Sequence, residues 1–251
     1  MAKQKGIIPL KGTIGNITFY KTADGYLAKE KGGVDANRIA NDPAFQRTRE
    51  NGAEFGRAGA GVKLLRTSLR NVLQHSADSK MTARLVREMM KVVKADTTNS
   101  RGERNIIDGD LMFLKGFEFN LNGKLGACFY APFTATVDRV AGELKADVPS
   151  FIPLNMVKAP GGTTHYRIVS AGVEIDFVNG VYVADSKTSA ILPWDENGSA
   201  ALLLTNVVTA NSTHSLFLAL GIEFYQEVNG DMYPLKNGTF NALALVEVSK
   251  V

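Results

Sequence analysis

In 251 residues the chain holds one cysteine, Cys128, one tryptophan, Trp194, and three histidines, His75, His165 and His214. A lone cysteine excludes a disulfide framework within the chain and any zinc site built on several thiolates. The histidines stand far apart, with no His-x-x-x-His or Cys partner at ligand spacing, so no metal or other cofactor is expected. No apolar run approaches the roughly 20 residues that a spanning helix needs, and no membrane insertion is expected. The basic start MAKQKGIIPLKG contains only Ile7, Ile8, Pro9 and Leu10 as an apolar stretch. That is shorter than the hydrophobic region of a secretory signal, so synthesis in the cytoplasm without Sec-type export is expected, the product staying in the cell, entering a virion or being released.

What is present is an ordinary folding composition with an uneven charge layout. Apolar residues make up 45%, charged residues 22% and aromatic residues 8%. These values exclude a disordered or fibrous chain. The net charge of +4 hides a segregation: residues 1–125 carry 22 Lys and Arg against 13 Asp and Glu, and residues 126–251 carry 7 against 12. Opposite patches of this kind suit either a polyanion partner or head-to-tail complementarity between copies of one chain.

Along the chain, Ile14–Lys21 and Tyr26–Lys29 flank an Asp24-Gly25 turn signal and predict a β-hairpin. A lone ribbon is marginal in water, so Ile17, Phe19, Tyr20, Tyr26 and Leu27 need a surface, in this chain or in a neighbour. Asn41-Asp42-Pro43 then predicts a helix start. Phe45, Thr48, Gly52, Phe55, Gly59, Val62, Leu65 or Arg66, Leu69 and Leu73 step by threes and fours, a pattern that either breaks into two helices near Gly59–Gly61 or runs on as one helix in which Gly52, Gly56 and Gly59 let another backbone come close. A second helix is predicted from about Lys80 to Lys94. Met81, Leu85, Val86, Met89, Val92 and Val93 occupy one half of its wheel, while Arg84, Arg87, Lys91 and Lys94 occupy the other. Arg66 and Arg70 extend this basic character onto the preceding helix.

After the polar stretch 97–103 the period changes to that of strands. The predicted strands are Leu111–Leu114, Phe117–Leu121, Lys124–Tyr130, Thr134–Arg139, Glu143–Val148, His165–Val169, Val173–Val178, Val181–Ala184, Ala200–Val208, Leu216–Glu227 and Phe240–Val248, with Asn122-Gly123, Asn179-Gly180 and Asn229-Gly230 as turns. The fold class expected is α+β: an N-terminal β-hairpin, a central helical pair and a C-terminal antiparallel β-sandwich. The corresponding segments are an arm and hairpin over 1–33, a basic helical region over 34–110 and a sandwich domain over 111–251.

The chemistry-bearing patterns are weak. Gly56–Lys63 is glycine-rich, but Val62 separates Gly61 from Lys63 and Leu64 follows, which defeats a phosphate-loop reading. Asp108/Asp110 and Asp195/Glu196 are acidic pairs of the kind that usually sit in solvated turns. Trp194 suits either a sugar-stacking platform or a loop anchor. No catalytic residue is assigned, and the chain is expected not to be an enzyme.

The arrangement Lys11-Gly-Thr-Ile-Gly-Asn-Ile-Thr-Phe-Tyr20, Asp24-Gly-Tyr26 and Asn41-Asp-Pro-Ala-Phe-Gln-Arg-Thr-Arg-Glu50 resembles families found in Bacteroidota genomes and their phages, as does the closing run Gly221–Leu235. Those families have no assigned activity. The resemblance implies an aromatic hairpin, a central helical segment, a β-rich half and an association with phages or mobile elements.

Together these readings predict a structural subunit that self-assembles, in a phage-like particle or a filament, through Ile7, Ile8, Leu10, Ile17, Phe19, Tyr20 and Tyr26. Its partner would be a second copy of itself. The first alternative is a nucleic-acid-associated protein that uses Arg66, Arg70, Arg84, Arg87, Lys91 and Lys94 against phosphates. The second is a carbohydrate- or ligand-binding sandwich centred on Trp194.

Overall fold

β-formers on either side of short polar turns pair locally at the N-terminus. In the computed structural model, which describes residues 2–6, 8–30 and 32–250, β1 (Ala2–Lys3), β2 (Gly12–Ile14), β3 (Ile17–Thr22) and β4 (Gly25–Glu30) form an antiparallel sheet in the order β1-β4-β3-β2. Gly15-Asn16 joins Ile14 to its partner Ile17, and Gly15 supplies the φ of +58° that this two-residue connection requires. Ala23-Asp24 joins Thr22 to Gly25. The Gln4 side chain fastens the following loop by donating to Leu27 O and accepting from Leu10 N–H, each at 2.9 Å.

The Asn41-Asp42-Pro43 signal falls at the junction of two helical segments, ending one and opening the next, and the helix before it is not predicted from the sequence. Asp35 caps α1 (Ala36–Asn41) by accepting from Asn37 N–H at 2.6 Å, and Asp42 caps the single 3₁₀ turn Pro43–Phe45 by accepting from Ala44 N–H at 2.9 Å. The contacts divide the chain into two compact units, Met1–Glu50 and Asn51–Val251, with the boundary inside the next helix.

That helix, α2 (Gln46–Ser68), is a single element, so the continuous alternative holds, but no backbone comes close at Gly52, Gly56 or Gly59, where a Cβ would meet nothing within 4 Å. Its inner side buries Glu54, Ala58, Gly61, Val62 and Leu65, and this burial outweighs a propensity cost of about 1 kcal/mol per glycine. Gly61 also answers a local need: a Cβ there would lie 2.2 Å from Cδ1 of Ile106. α3 (Arg70–Leu73) and α4 (Met81–Lys94) follow, and α4 buries Met81, Leu85, Met89, Val92 and Val93, the stripe its wheel predicts.

Between residues 111 and 130 the predicted strands are replaced by turns. Leu111–Leu114 is a 3₁₀ turn and Leu125–Cys128 is the short helix α5. Both members of the pairs Leu111/Leu114 and Leu125/Cys128 are buried. A strand would send residues three apart to opposite faces, whereas a helical turn puts them on one. Of Phe117–Leu121 only an isolated antiparallel bridge survives, between Glu118 and Ala244.

The rest is mainly strand, with α6 (Pro153–Met156) and a 3₁₀ turn over Leu235–Gly238 as the further helical elements among the described residues. β5 (Thr134–Asp138), β6 (Glu143–Val148) and β10 (Leu202–Val207) form a three-stranded antiparallel sheet in the order β10-β6-β5. A second sheet centres on two long strands, β7 (His165–Asp176) and β11 (Ser215–Val228), paired from Ser215↔Ile175 to Tyr225↔His165. β8 (Val181–Thr188) and β9 (Leu192–Pro193) pair with β7, while β12 (Asp231–Pro234) and β13 (Ala242–Ser249) pair with β11. His165–Val169 and Val173–Val178, predicted as separate strands, are thus largely one continuous strand. The molecule is α+β with antiparallel sheets.

Alternation along β7 and β11 divides their side chains between two cores. Val169, Ala171, Val173, Ile175, Phe217 and Ala219 share a cluster with Val62, Leu65, Leu85 and Met89 of the helices. Ile168, Leu216, Leu218, Leu220 and Ile222 share the other with Leu144, Ala146, Val148 and Leu204 of the small sheet. Strands covered on both faces read as continuous apolar runs, and Leu216–Ile222 does. Gly172 admits the small sheet closely: a Cβ there would lie 2.6 Å from Asn206 Cβ, and the adjacent Ser170 hydroxyl bonds Asn206 Oδ1 at 2.7 Å.

Candidate interaction surfaces

In the N-terminal sheet, register decides which side chains share a face. The pairs Ile14↔Ile17, Gly12↔Phe19, Phe19↔Ala28, Lys21↔Tyr26 and Ile17↔Glu30 place Ile14, Ile17, Phe19, Tyr26 and Ala28 on one face. Tyr20 lies on the other face with its partner Leu27, beside Thr13, Thr18, Lys29 and Lys3. Lysines flank the aromatic rings on both sides: Lys21 Nζ stands 5.5 Å from the Tyr26 ring centre and Lys29 Nζ stands 5.7 Å from that of Tyr20. Among the seven residues singled out for assembly, Ile7 lies outside the described residues. Ile8 and Leu10 are on the loop before β2, with Ile8 78% exposed. None of the described residues between 2 and 50 is buried, although this unit carries Ile14, Ile17, Phe19, Tyr20, Tyr26 and Leu27.

The six basic residues of the helices differ in their surroundings. Arg84 is built into the fold. It donates to Asp78 at 2.5 Å and to the carbonyls of Glu118 at 2.7 Å and Phe119 at 3.3 Å, and it lies over the Phe117 ring. Burial pushes the Asp78 carboxyl up, but bonds from Leu121 N–H, Lys80 N–H and the Arg84 guanidinium outweigh it and hold the group below the ordinary carboxylate range. Arg87 and Lys91 converge on Glu88 at 3.1 and 2.5 Å, which offsets part of the stripe's charge. Arg66, Arg70 and Lys94 are exposed and form no ion pair among the described residues.

Trp194 donates its indole N–H to Val157 O at 3.0 Å and packs against the core between the sheets, the position of a loop anchor. The acidic pairs sit in turns: Asp110 accepts from Met112 N–H, Asp195 accepts from Asn197, and Asp108 accepts from the side-chain amides of Asn99 and Asn105. Cys128 is buried, and burial together with the nearby Glu118 charge pushes its thiol up to about 12, far from a reactive thiolate.

Three polar clusters are not evident in the sequence: two join residues remote in the chain, and the third winds a local loop around one carboxylate. Arg167 donates from Nε at 3.0 Å and from Nη2 at 2.5 Å to the buried Glu223, which also accepts from the Tyr225 hydroxyl at 2.8 Å. Glu174 accepts from the Ser212 hydroxyl at 2.6 Å and from Thr209 N–H at 3.1 Å. Asp96 accepts from the N–H groups of Thr98, Asn99 and Asn105 at 2.8–3.0 Å. Burial raises the Asp96 carboxyl, and these bonds overcome that and bring it down to about 2. Each cluster fixes a loop or a strand pair. Among the described residues no three His, Cys, Asp or Glu side chains are grouped to hold a metal ion, and no helix is long and apolar enough to cross a membrane.

Beside α2 the surface opens into a groove of about 470 Å³ lined by Arg57, Lys63, Leu64, Ile106, Phe177 and Tyr182. Arg57 is committed there to the carbonyls of Gly102 and Arg104. No family model matches the chain, and no curated protein and no solved structure matches it.

Proposed function

We propose that the protein is a non-enzymatic building block that self-assembles by docking its N-terminal hairpin unit on a neighbouring copy, in a phage-like particle or a filament. The carrying observation is that an aromatic four-stranded sheet has no buried side chain among its described residues. Such a sheet gains little of the roughly 25 cal/mol per Å² that buried apolar surface supplies, so it calls for a host. The body is read as a β-sandwich scaffold with helices on its outer side, supported by the two clusters that share β7 and β11. Its buried charged groups are taken up in holding strands and loops, which suits a mechanical role. The uneven charge of the two halves favours ordered contacts between copies, and the resemblance to phage-associated families agrees with a particle or filament.

A second reading, nucleic-acid association, is favoured by the exposed and unpaired Arg66, Arg70 and Lys94. Sedimentation and negative-stain microscopy of the full chain and of a chain lacking residues 1–33 test the first reading. The full chain is expected to associate and the shortened chain to lose that association. A monodisperse monomer in both preparations overturns it, and a shift only on adding DNA or RNA, abolished by salt, would put the second reading in its place.

A further inference from the structure

We propose that the N-terminal sheet packs face to face on the same sheet of a second copy across a two-fold axis, using the face of Ile14, Ile17, Phe19, Tyr26 and Ala28, with Lys21 of each copy opposite Glu30 of the other. The proposal rests on the self-assembly reading and adds the face, the symmetry and the charge pairs.

Charge chooses between the two faces. The face bearing Tyr20 and Leu27 holds Lys3 and Lys29 and no acidic residue in its paired positions. Two copies meeting there would crowd four lysines together. The opposite face is apolar in its middle and carries one charge of each sign, because Lys21 pairs with Tyr26 at one end of the strands and Glu30 pairs with Ile17 at the other. A shallow groove lined by Ala2, Asn16, Ile17, Ala28, Lys29 and Glu30 lies at the Glu30 end of the sheet, and Ile14 and Ile17 are 64% and 45% exposed.

Within one chain Lys21 and Glu30 are four residues apart along the strands, roughly 13 Å at about 3.3 Å per residue, too far for an ion pair. Neither has an ion-pair partner among the described residues. An isologous contact uses one patch twice, so whatever sits at one end of the patch meets what sits at the other end. With the axis lying between the layers and across the strands, the strands of the two sheets run antiparallel and each cation faces an anion. Sheets pack about 10 Å apart, a gap that an extended lysine and glutamate span together. Phe19, at the centre of β3, then meets its own counterpart.

The test is a pair of charge reversals read by sedimentation velocity at low and moderate salt. Lys21→Glu and Glu30→Lys, each alone, are expected to weaken association at least tenfold, since each copy would present like charges to the other. An equimolar mixture of the two variants is expected to associate as strongly as the unmodified chain. There the retained Lys21 of one chain meets the retained Glu30 of the other, and the two introduced charges meet each other. The double variant is expected to associate with itself for the same reason. An unchanged thermal midpoint of the body in every variant shows that the fold is kept. If the unmodified chain associates but neither the mixture nor the double variant recovers what the single reversals lose, the two-fold contact is wrong while the assembly reading stands. If the unmodified chain is a monomer at tens of micromolar, the assembly reading itself fails.

Discussion

The N-terminal sheet and the central sheet use the same vocabulary of β-branched and aromatic residues at alternating positions, and they differ in what covers them. In β7 and β11 nearly every side chain is buried, shared between a helical layer and a second sheet. In β3 and β4 none is. A strand holds its conformation by hydrogen bonds in either setting, but the free energy that fixes a sheet in one place comes from covering its faces. The contrast separates a part of the molecule with both faces covered from a part whose side chains are at most half-buried.

Core truncation should expose this difference most sharply. Leu220→Ala, in the fully buried middle of β11, is expected to cost about 2–5 kcal/mol in chemical denaturation. Phe19→Ala in the N-terminal sheet is expected to change the body's unfolding free energy by less than about 1 kcal/mol while abolishing association. Equal losses from the two substitutions would erase the distinction between the regions.

Acid should act on the body next. The Asp96 carboxyl lies at about 2 in the fold against an ordinary 3.8. A lowered value means that the folded state binds its proton less tightly than the unfolded chain does. The stabilisation is therefore complete above the ordinary value and is lost as pH falls from about 4 toward 2. Denaturation midpoints measured across that range should fall in the native chain and fall less in Asp96→Ala, which starts lower. Asp42 is also lowered, first by Ala44 N–H and then by Arg38, but it belongs to the N-terminal unit and its substitution should leave the body's acid response unchanged.

The smallest effects lie along α2. A Cβ at Gly56 meets nothing within 4 Å, whereas one at Gly61 runs into Ile106. Gly56→Ala should stabilise the protein by about 1 kcal/mol through helix propensity. Gly61→Ala should gain less than half of that, or lose stability, because Ile106 has to give way. Thermal melts of the two variants decide whether the glycines of this helix serve packing at one position or at all of them.

How much was legible in the sequence follows from the range of each determinant. The long amphipathic helix at Met81–Lys94, the strands with Asn-Gly and Asp-Gly turns and the α+β class depend on period and on local turn chemistry, and these are written in neighbouring residues. Leu111–Leu114 and Leu125–Cys128 were misread as strands because apolar composition alone does not say whether residues three apart face the same core. Arg84 was grouped with its helix neighbours as a surface cation because its partners, Asp78 and the carbonyls of Glu118 and Phe119, come from elements that sequence reading does not bring together. Ile7, Ile8, Leu10, Ile17, Phe19, Tyr20 and Tyr26 stand out in the sequence by aromatic and aliphatic character, which is local. That Ile17, Phe19 and Tyr26 share a face while Tyr20 opposes them is set by register.

The sequence by itself determined the secondary-structure grammar, the opposed charges of the two halves and the presence of an aromatic ribbon near the N-terminus, because periodicity, turn residues and net charge are sums over adjacent positions. The tertiary structure decided that the two long strands are covered twice while no side chain of the ribbon is fully buried, and that Arg167 and Glu223, or Ser170 and Asn206, meet. Burial and buried pairing depend on which distant segments close the same volume, and no local sum over residues contains that information.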